Sequence, residues 1–396
     1  MRIWHKGIDG VHAFYVNGLL RSLFMSMTTI FVPLFIFTQA MQLWGSYQKA
    51  LYLILLFFIA QRVIITLIVF PLSKLIEKIG FRKSISLSVI FLIGYTTALY
   101  LAKDNLAWLW MAIVCGGLQT PLYWISRDSA LSQDIEGSNM GTKMSYIAVL
   151  VNISGLLGPF TGGAIVATFG YPTLFGTSLI VLGLSTIPLW WMPRHAHKNG
   201  VSLQGFWYFL TNGRYLHQAV ANFGGAMNDY GNGVIWPLIL FLQGITDARL
   251  GAVYSLVAVV TITVEYFTGK WFDRLRSKND YSDEGVYGFA SVAMALSWLG
   301  RIFVTGLTQV VSLDIGRQIF GSVYTTFFGD YLHLGGKRMG SIAYWVYMEV
   351  IYSIGAITLF GTMAIGIYFD IWQEMVLMTI ALWSLVTIVI ARESNL

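Results

Sequence analysis

Long apolar runs, separated by short polar segments, make up most of the chain. A helix that crosses the hydrocarbon core of a bilayer needs about 20 mostly apolar residues, and twelve such runs follow one another along the 396 residues. We therefore predict an all-α membrane protein with twelve transmembrane helices. The predicted spans are 14–37, 48–72, 84–102, 106–126, 143–168, 173–192, 215–242, 250–271, 285–305, 307–328, 340–365 and 369–391. Polar or charged residues weaken the prediction for the third, fourth, ninth and tenth runs.

The longest polar connection falls at mid-chain. It covers residues 194–213, with the sequence RHAHKNGVSLQGFWYFLTNG, between the sixth and seventh runs. Its position predicts two pseudo-symmetric six-helix bundles, an N-terminal one at 1–193 and a C-terminal one at 215–396, joined by a cytoplasmic loop at 194–214. The aromatic residues in this loop indicate a short helix at the membrane interface, because aromatic rings favour the headgroup region.

The composition excludes a soluble protein. Apolar residues make up 56% of the chain and charged residues only 11%, against about 25% charged residues in a soluble domain. The mean hydropathy is +0.66. The net charge of +6 does not indicate a nucleic-acid partner, because the basic residues are dispersed over short segments between the apolar runs. Cys115 is the only cysteine, so an internal disulfide is excluded. The first run exceeds the apolar core of a signal peptide, so we expect a spanning helix there.

The basic residues predict the orientation in the membrane. With the N-terminus placed in the cytoplasm, the cytoplasmic segments hold 18 lysines and arginines, and the opposite side holds Lys49, Lys103 and Arg249. Lysine and arginine accumulate on the cytoplasmic side of membrane proteins. We therefore expect both termini in the cytoplasm and a multi-pass protein, monomeric, in the lipid bilayer of the cell membrane.

Two charged turns follow the second and eighth runs, 196 residues apart. Each turn places an acid among several bases. An acid near a helix N-terminus, with bases near helix carbonyl ends or lipid phosphates, can hold two helices together in one conformation and release them in another. The alternative is that the turns only set the topology. The residues concerned are Ser73, Glu77, Lys78, Gly80, Arg82 and Lys83 in the first turn, and Glu265, Gly269, Asp273, Arg274 and Arg276 in the second.

The two turns resemble the Gly-x-x-x-Asp-Arg-x-Gly-Arg-Lys/Arg loop of the major facilitator superfamily. The second turn matches this loop at Gly269, Asp273 and Arg274 but lacks the inner glycine, and the first has Ser73 and Glu77 in place of the glycine and the aspartate. The resemblance extends over essentially the whole chain. It implies the major facilitator fold and alternating access, in which two halves rock about a central site.

The fifth run contains a second motif of the same kind. Its residues Ser154, Gly158, Pro159, Gly162 and Gly163 resemble the Gly-x-x-x-Gly-Pro-x-x-Gly-Gly motif of exporters in that superfamily. Small residues let helix backbones approach closely, and proline bends a helix. The resemblance implies a bent, tightly packed helix at the seam between the halves, one that limits leak. Ordinary packing of small residues is the alternative.

Ionisable residues inside the apolar runs are the first candidates for a transport site, because each is costly there unless it faces a cavity or a partner. Asp229 lies in a glycine-rich break of the seventh run, and Glu349 lies near the middle of the eleventh. We predict that they bind substrate or protons, although a structural hydrogen bond or a buried neutral acid would also explain them. Arg62 and Arg21 each need an anion, either a carboxylate across the cleft or an anionic substrate.

Several other polar residues belong to the predicted site or its surroundings. Asp314 and Arg317 are three residues apart on one helix, a spacing that favours a local salt bridge. Arg301 lies near the outer end of the ninth run and is expected to reach the interface. The remaining candidates for the cavity lining are Asn228, Gln119, Tyr123 and Trp124. For the two aromatic residues, a place in the membrane-interface belt is the alternative.

These features together predict a secondary active transporter. We expect a small solute to move by alternating access, with proton coupling and with export of an amphipathic or drug-like compound. Uptake of a metabolite or organic anion, by symport or uniport, is the alternative, and a non-transporting receptor-like protein or a membrane enzyme is a remote one. No P-loop occurs, which disfavours ATP-driven transport. His195 and His197 have no cysteine partner, so no metal and no cofactor are expected.

Overall fold

The computed structural model describes residues 8–133, 140–191, 200–277 and 283–386. Within these ranges the chain is almost entirely helical and contains no strand. The fold therefore confirms the prediction of an all-α protein. His195 and His197 lie outside the described residues, as do the side chains of Glu265, Asp273, Arg274 and Arg276.

Fifteen α-helices occupy the described residues. The first seven are α1 (Ile8–Thr28), α2 (Val32–Trp44), α3 (Tyr47–Ile79), α4 (Phe81–Leu101), α5 (Trp108–Gln133), α6 (Met140–Phe169) and α7 (Tyr171–Thr186). The others are α8 (Leu203–Thr211), α9 (Gly213–Tyr230), α10 (Trp236–Leu242), α11 (Asp247–Ser277), α12 (Asp283–Gly300), α13 (Leu307–Met339), α14 (Ser341–Tyr368) and α15 (Trp372–Val386). Because α1 and α2 continue one rod, as do α9 and α10, twelve rods and the short helix α8 result. They correspond to the twelve predicted spans and the predicted interfacial helix.

Seven helical segments are long and apolar enough to cross a membrane by composition alone, and two shorter apolar segments, Gly288–Phe303 and Trp372–Val386, add to them. The rods outside this set are α5, the α9–α10 rod and α13. These rods carry polar residues that line the interior of the protein. In α5 and in the α9–α10 rod, this interior polarity lowers the hydropathy, as expected for helices that face a polar interior.

The first charged turn is a single residue, which differs from the loop expected from the sequence. Helix α3 continues through Ser73 and Glu77 to Ile79, and α4 begins at Phe81. Gly80 joins them with φ of 84°, a conformation that glycine adopts without a steric cost. Its N–H donates to the carbonyl of Ile76 at 2.9 Å. In the second half, helix α11 continues through Gly269, so the second predicted turn is also helical up to Ser277.

Two rods are broken at matching depths. A 3₁₀ turn, Thr29–Phe31, separates α1 from α2, and a π-helical turn, Gly231–Ile235, separates α9 from α10. Pro33 follows the first break and Pro237 the second. Since proline has no N–H, it cannot donate to the carbonyl four residues earlier, and the regular helix is interrupted there.

The first six rods and the last six contact each other at both ends. At the end where α8 lies (the connector end), the indole N–H of Trp345 donates to Ser132 Oγ at 3.0 Å. At the opposite end (the far end), the hydroxyl of Tyr171 donates to Asp247 Oδ1 at 2.8 Å. The aromatic rings of Phe37 and Phe241 also meet at the far end, with centroids 6.3 Å apart. Protein contacts at both ends leave enclosed space at mid-depth.

Candidate functional site

A cavity of about 390 Å³ lies between the two sets of helices at mid-depth (the first cavity). Helices α1, α3, α4 and α5 line it from one side, and α9 and α14 line it from the other. The residues that carry its chemistry are Gln61, Arg62, Tyr95, Gln119, Thr120, Trp124, Asp128, Asn222, Asp229, Tyr230, Trp345, Glu349 and Tyr352. This volume falls within the range of about 300–1,000 Å³ that small-molecule sites occupy.

An ion pair crosses the wall of the first cavity. Arg62 of α3 donates from Nη1 to Oε1 of Glu349 on α14 at 2.8 Å, and both side chains are largely buried, with 9% and 12% exposed. Nε of Arg62 donates to the hydroxyl of Tyr230 at 2.5 Å. Two charges removed from water are stable only when they neutralise each other and their remaining polar atoms are bonded. Arg62 therefore takes a carboxylate of the opposite half as its anion.

Asp229 belongs to the same polar network. The hydroxyl of Tyr352 donates to Oδ2 of Asp229 at 2.9 Å, and the carboxyl group faces the first cavity. Tyr352 follows Glu349 by three residues on α14, and its ring centroid lies 4.9 Å from Cζ of Arg62. The structure thus connects both predicted proton carriers, Glu349 and Asp229, through one arginine and two tyrosines.

Arg21 is the second buried cation near the first cavity, and its partners are neutral. It is only 3% exposed. Its guanidinium donates to Gln119 Oε1 at 2.7 Å and to Ser88 Oγ at 3.3 Å, and Cζ lies 3.5 Å from the ring centroid of Tyr123. Within the described part of the chain, no carboxylate lies within 4 Å of it. Arg21 therefore contributes an uncompensated positive charge behind Gln119.

The other predicted site residues have different positions. Gln119 and Trp124 line the first cavity, whereas Tyr123 packs under Arg21. Asn228 does not face the cavity. Its amide group instead accepts from the indole N–H of Trp298 at 2.7 Å and donates to Ser384 Oγ at 3.2 Å. Asn228 thereby connects α9 with α12 and α15.

Two expectations about charged residues are wrong. Asp314 does not form the local salt bridge with Arg317, because its carboxylate bonds Arg301 at 2.5 Å and accepts from the indole N–H of Trp236 at 3.1 Å. Arg301 does not reach the interface, since it is only 2% exposed. Its guanidinium lies between the rings of Trp236 and Trp298, with Cζ 4.4 Å and 4.1 Å from their centroids. Asp314 therefore pairs with Arg301, which lies outside α13 and is held between two indole rings, and not with the residue three positions along its own helix.

The small-residue motif of the fifth run packs helix backbones together. Ser154 donates its hydroxyl to the carbonyl of Leu19 at 3.1 Å, which joins α6 to α1. A Cβ added to Gly163 would lie 2.7 Å from the carbonyl oxygen of Asp247 and 3.1 Å from Cα of Gly251. Such distances leave no room for a side chain. The described part of α6 therefore contacts α11 across the seam between the first and last six rods.

Sequence reasoning missed the two tyrosines that complete the network. Tyr352 is one helical turn beyond Glu349 and therefore shares a helix face with that predicted carrier, whereas Tyr230 directly follows Asp229 in the chain and points to another side of the helix. The residues three and four positions from an intramembrane acid could have been searched for hydroxyl donors. Asp128 was also missed as a lining residue, because it follows Arg127 and looked like part of a connection.

Comparison with known proteins identifies the family. The model of the Major Facilitator Superfamily matches residues 14–357. The chain belongs to this superfamily. No curated protein matches the chain.

Two solved structures show the same major facilitator fold. The crystal structure of the human organic anion transporter MFSD10 (TETRAN) is similar with a TM-score of 0.70 and 11% identity, over 97% of this chain and 99% of that chain. The Escherichia coli fucose:proton symporter FucP is similar with a TM-score of 0.66 and 12% identity, over 97% of this chain and 98% of that chain. At such low identity these likenesses show the fold alone. As a major facilitator protein, the chain is an integral multi-pass membrane transporter rather than an enzyme.

Proposed function

We propose that this protein is a secondary active transporter that moves a small solute through the first cavity and couples this movement to protons. The observation that carries the proposal is the ion pair between Arg62 and Glu349, which joins α3 to α14 at 2.8 Å. A proton that binds Glu349 removes the negative charge and releases Arg62. Because a buried arginine needs an anion, the released guanidinium then favours a conformation in which another group reaches it.

Asp229 is the second proton carrier in this proposal. Its only described hydrogen-bond partner is the hydroxyl of Tyr352, and it faces the cavity, where a solute can contact it. Glu349 and Asp229 share Arg62 and the two tyrosines as neighbours, so protonation of one acid changes the electrostatic environment of the other. Such coupling allows solute binding at Asp229 to alter proton binding at Glu349.

Export of an amphipathic compound is the direction that we propose. Aromatic side chains surround the polar network in the first cavity, among them Phe24, Phe58 and Trp345, and such a lining suits a solute with an apolar body. Close packing of Gly163 against Gly251 supports a seam that limits leak. In this proposal the two six-helix bundles, 1–193 and 215–396, move as units, the connector end faces the cytoplasm, and a monomer works in the cell membrane.

Uptake of an organic anion is the second candidate, and Arg21 favours it. Within the described residues, no carboxylate lies within 4 Å of Arg21. Its guanidinium donates to Gln119 of the cavity wall. An anionic solute near Gln119 would supply the missing negative charge. The similar human structure is an organic anion transporter, which is compatible with this candidate.

Transport into proteoliposomes tests the proposal. The full chain is reconstituted with a pH-sensitive dye inside the vesicles, and drugs, sugars, amino acids and organic anions are added in turn. We expect one class to move protons, with Glu349→Gln and Asp229→Asn each altering the number of protons moved per solute. Glu374→Gln and Asp104→Asn are matched controls at exposed positions and should transport as the wild type does. Unchanged proton coupling in both cavity variants would show that these acids are not the carriers.

A further inference from the structure

A second cavity of about 300 Å³ lies on the other side of the contact between the two broken rods. Helices α1, α6, α11 and α13 line most of it, and Asn232 of the π-helical turn completes the wall. Thr29 lines both cavities, and its methyl group would lie 3.6 Å from a Cβ at Gly233. The first break, at residues 29–31, and the second, at residues 231–235, therefore form the partition between two separate spaces.

The charges in the second cavity do not balance. Arg301, Asp314 and Arg317 all line it, and Asp314 is already bonded to Arg301 at 2.5 Å. Within the described residues, Arg317 donates to its neighbour Gln318, from Nη2 at 2.6 Å, and to no other group, and its buried Nε has no partner there. No carboxylate lies within 4 Å of Arg317 in the described part of the structure. An arginine remains protonated in a protein, so among the described residues one positive charge in this cavity lacks an anion.

The walls that α6 and α11 contribute to the second cavity carry polar residues and also a small apolar surface. Val151, Val257 and Ala258 lie there, and Gly155 leaves space, since a Cβ at that position meets only the Cβ of Ala258 at 3.9 Å. Among the described residues, the cavity therefore combines an unpartnered guanidinium Nε of Arg317 with a small apolar surface. A guanidinium presents parallel N–H groups that match the two oxygens of a carboxylate.

We propose that the second cavity is a binding site for a small organic monocarboxylate, with the carboxylate on Arg317 and the apolar body against Val257 and Ala258. This site is distinct from the first cavity, because the partition at Thr29 and Gly233 separates the two spaces.

Direct binding of benzoate tests the proposal without requiring transport. The full chain is purified into phosphatidylcholine nanodiscs, and radiolabelled benzoate is titrated at equilibrium. We expect saturable binding to the wild type, at least about tenfold weaker binding to Arg317→Gln, and partial recovery in Arg317→Lys. Gly155→Leu fills the cavity without changing any charge and should also abolish binding. Arg249→Gln and Gly176→Leu are matched controls, since Arg249 is exposed and Gly176 has open space around it.

Each outcome decides the proposal. Loss of binding in both Arg317→Gln and Gly155→Leu, with both controls unaffected, supports it. If Arg317→Gln does not give a monodisperse protein in size-exclusion chromatography, Gly155→Leu alone decides. Absence of saturable benzoate binding to the wild type overturns the proposal. Binding that depends on Arg21 but not on Arg317 also overturns it, because that result would place benzoate next to the first cavity.

Discussion

A double-mutant cycle on Arg62 and Glu349 tests the energetic basis of the transport network. The variants are Arg62→Gln, Glu349→Gln and the double variant. The two side chains are 9% and 12% exposed and bonded at 2.8 Å. The charge centres of such a pair lie about 4 Å apart, where the attraction is about 4 kcal/mol at an effective dielectric constant of 20. Removal of one partner from a buried pair costs about 3–5 kcal/mol, because the remaining charge is left without its counterion.

We therefore expect each single variant to lose about 3–5 kcal/mol of stability and the double variant to lose much less than the sum. The coupling energy should be about 3 kcal/mol. The assay is reversible unfolding of the purified protein in mixed micelles by increasing dodecyl sulfate, with helicity as the readout. The exposed pair Lys103 and Asp104, bonded at 2.9 Å, is the matched control, and its cycle should show no measurable coupling. A coupling energy for Arg62 and Glu349 below about 1 kcal/mol would refute the reasoning, because it would show that the pair is solvated.

Three further predictions concern single positions. Gly80→Ala should destabilise the protein by about 1–3 kcal/mol, because alanine is strained at φ of 84° and ψ of 162°. Thermal unfolding measures this loss, and unchanged stability would mean that the turn tolerates a side chain. Gly163→Val should lower the yield of folded protein, because the valine side chain would clash with the backbone of α11. Gly176→Val is the control and should not lower the yield, because Gly176 has open space around it. Equal yields of the two variants would contradict the close approach of α6 to α11. Tyr352→Phe removes the only described hydrogen bond to Asp229 and should shift the pH at which transport is half-maximal. An unchanged pH profile would show that this hydrogen bond does not contribute to proton coupling.

The sequence predicted the helices well because their cause is local. A sufficiently long apolar run predicts a spanning helix whatever the arrangement of the helices. The ends of helices were less predictable. Helix α3 extends through Lys74 and Lys78 to Ile79, since charged residues beyond the hydrocarbon core keep good helix propensity. Only a glycine at positive φ then ends the helix, and the sequence contains too many glycines to single out Gly80.

The candidate site was predictable in part of its membership, and its pairs were not predictable. Arg62, Glu349 and Asp229 stood out because each is costly inside an apolar run. The partner of each depends on contacts between residues far apart in the chain, and spacing along one helix gave the wrong partner for Asp314. The bond to Arg301 needs the end of α12 to approach α13, and only the tertiary structure shows this. The spacing of residues along one helix favoured Arg317 as the partner of Asp314, because spacing contains no information about the approach of α12 to α13.

The matching breaks in the two rods have a mechanical consequence. A helix bends most easily where its hydrogen-bond ladder is interrupted. The interruptions after Thr28 and Tyr230 are in contact, since Thr29 lies next to Gly233. The half-helices α2 and α10 beyond them meet through Phe37 and Phe241. If α2 tilts about its hinge, it must either carry α10 along or lose this aromatic contact. The contact between α2 and α10 therefore has to separate before the two bundles can move apart at the far end.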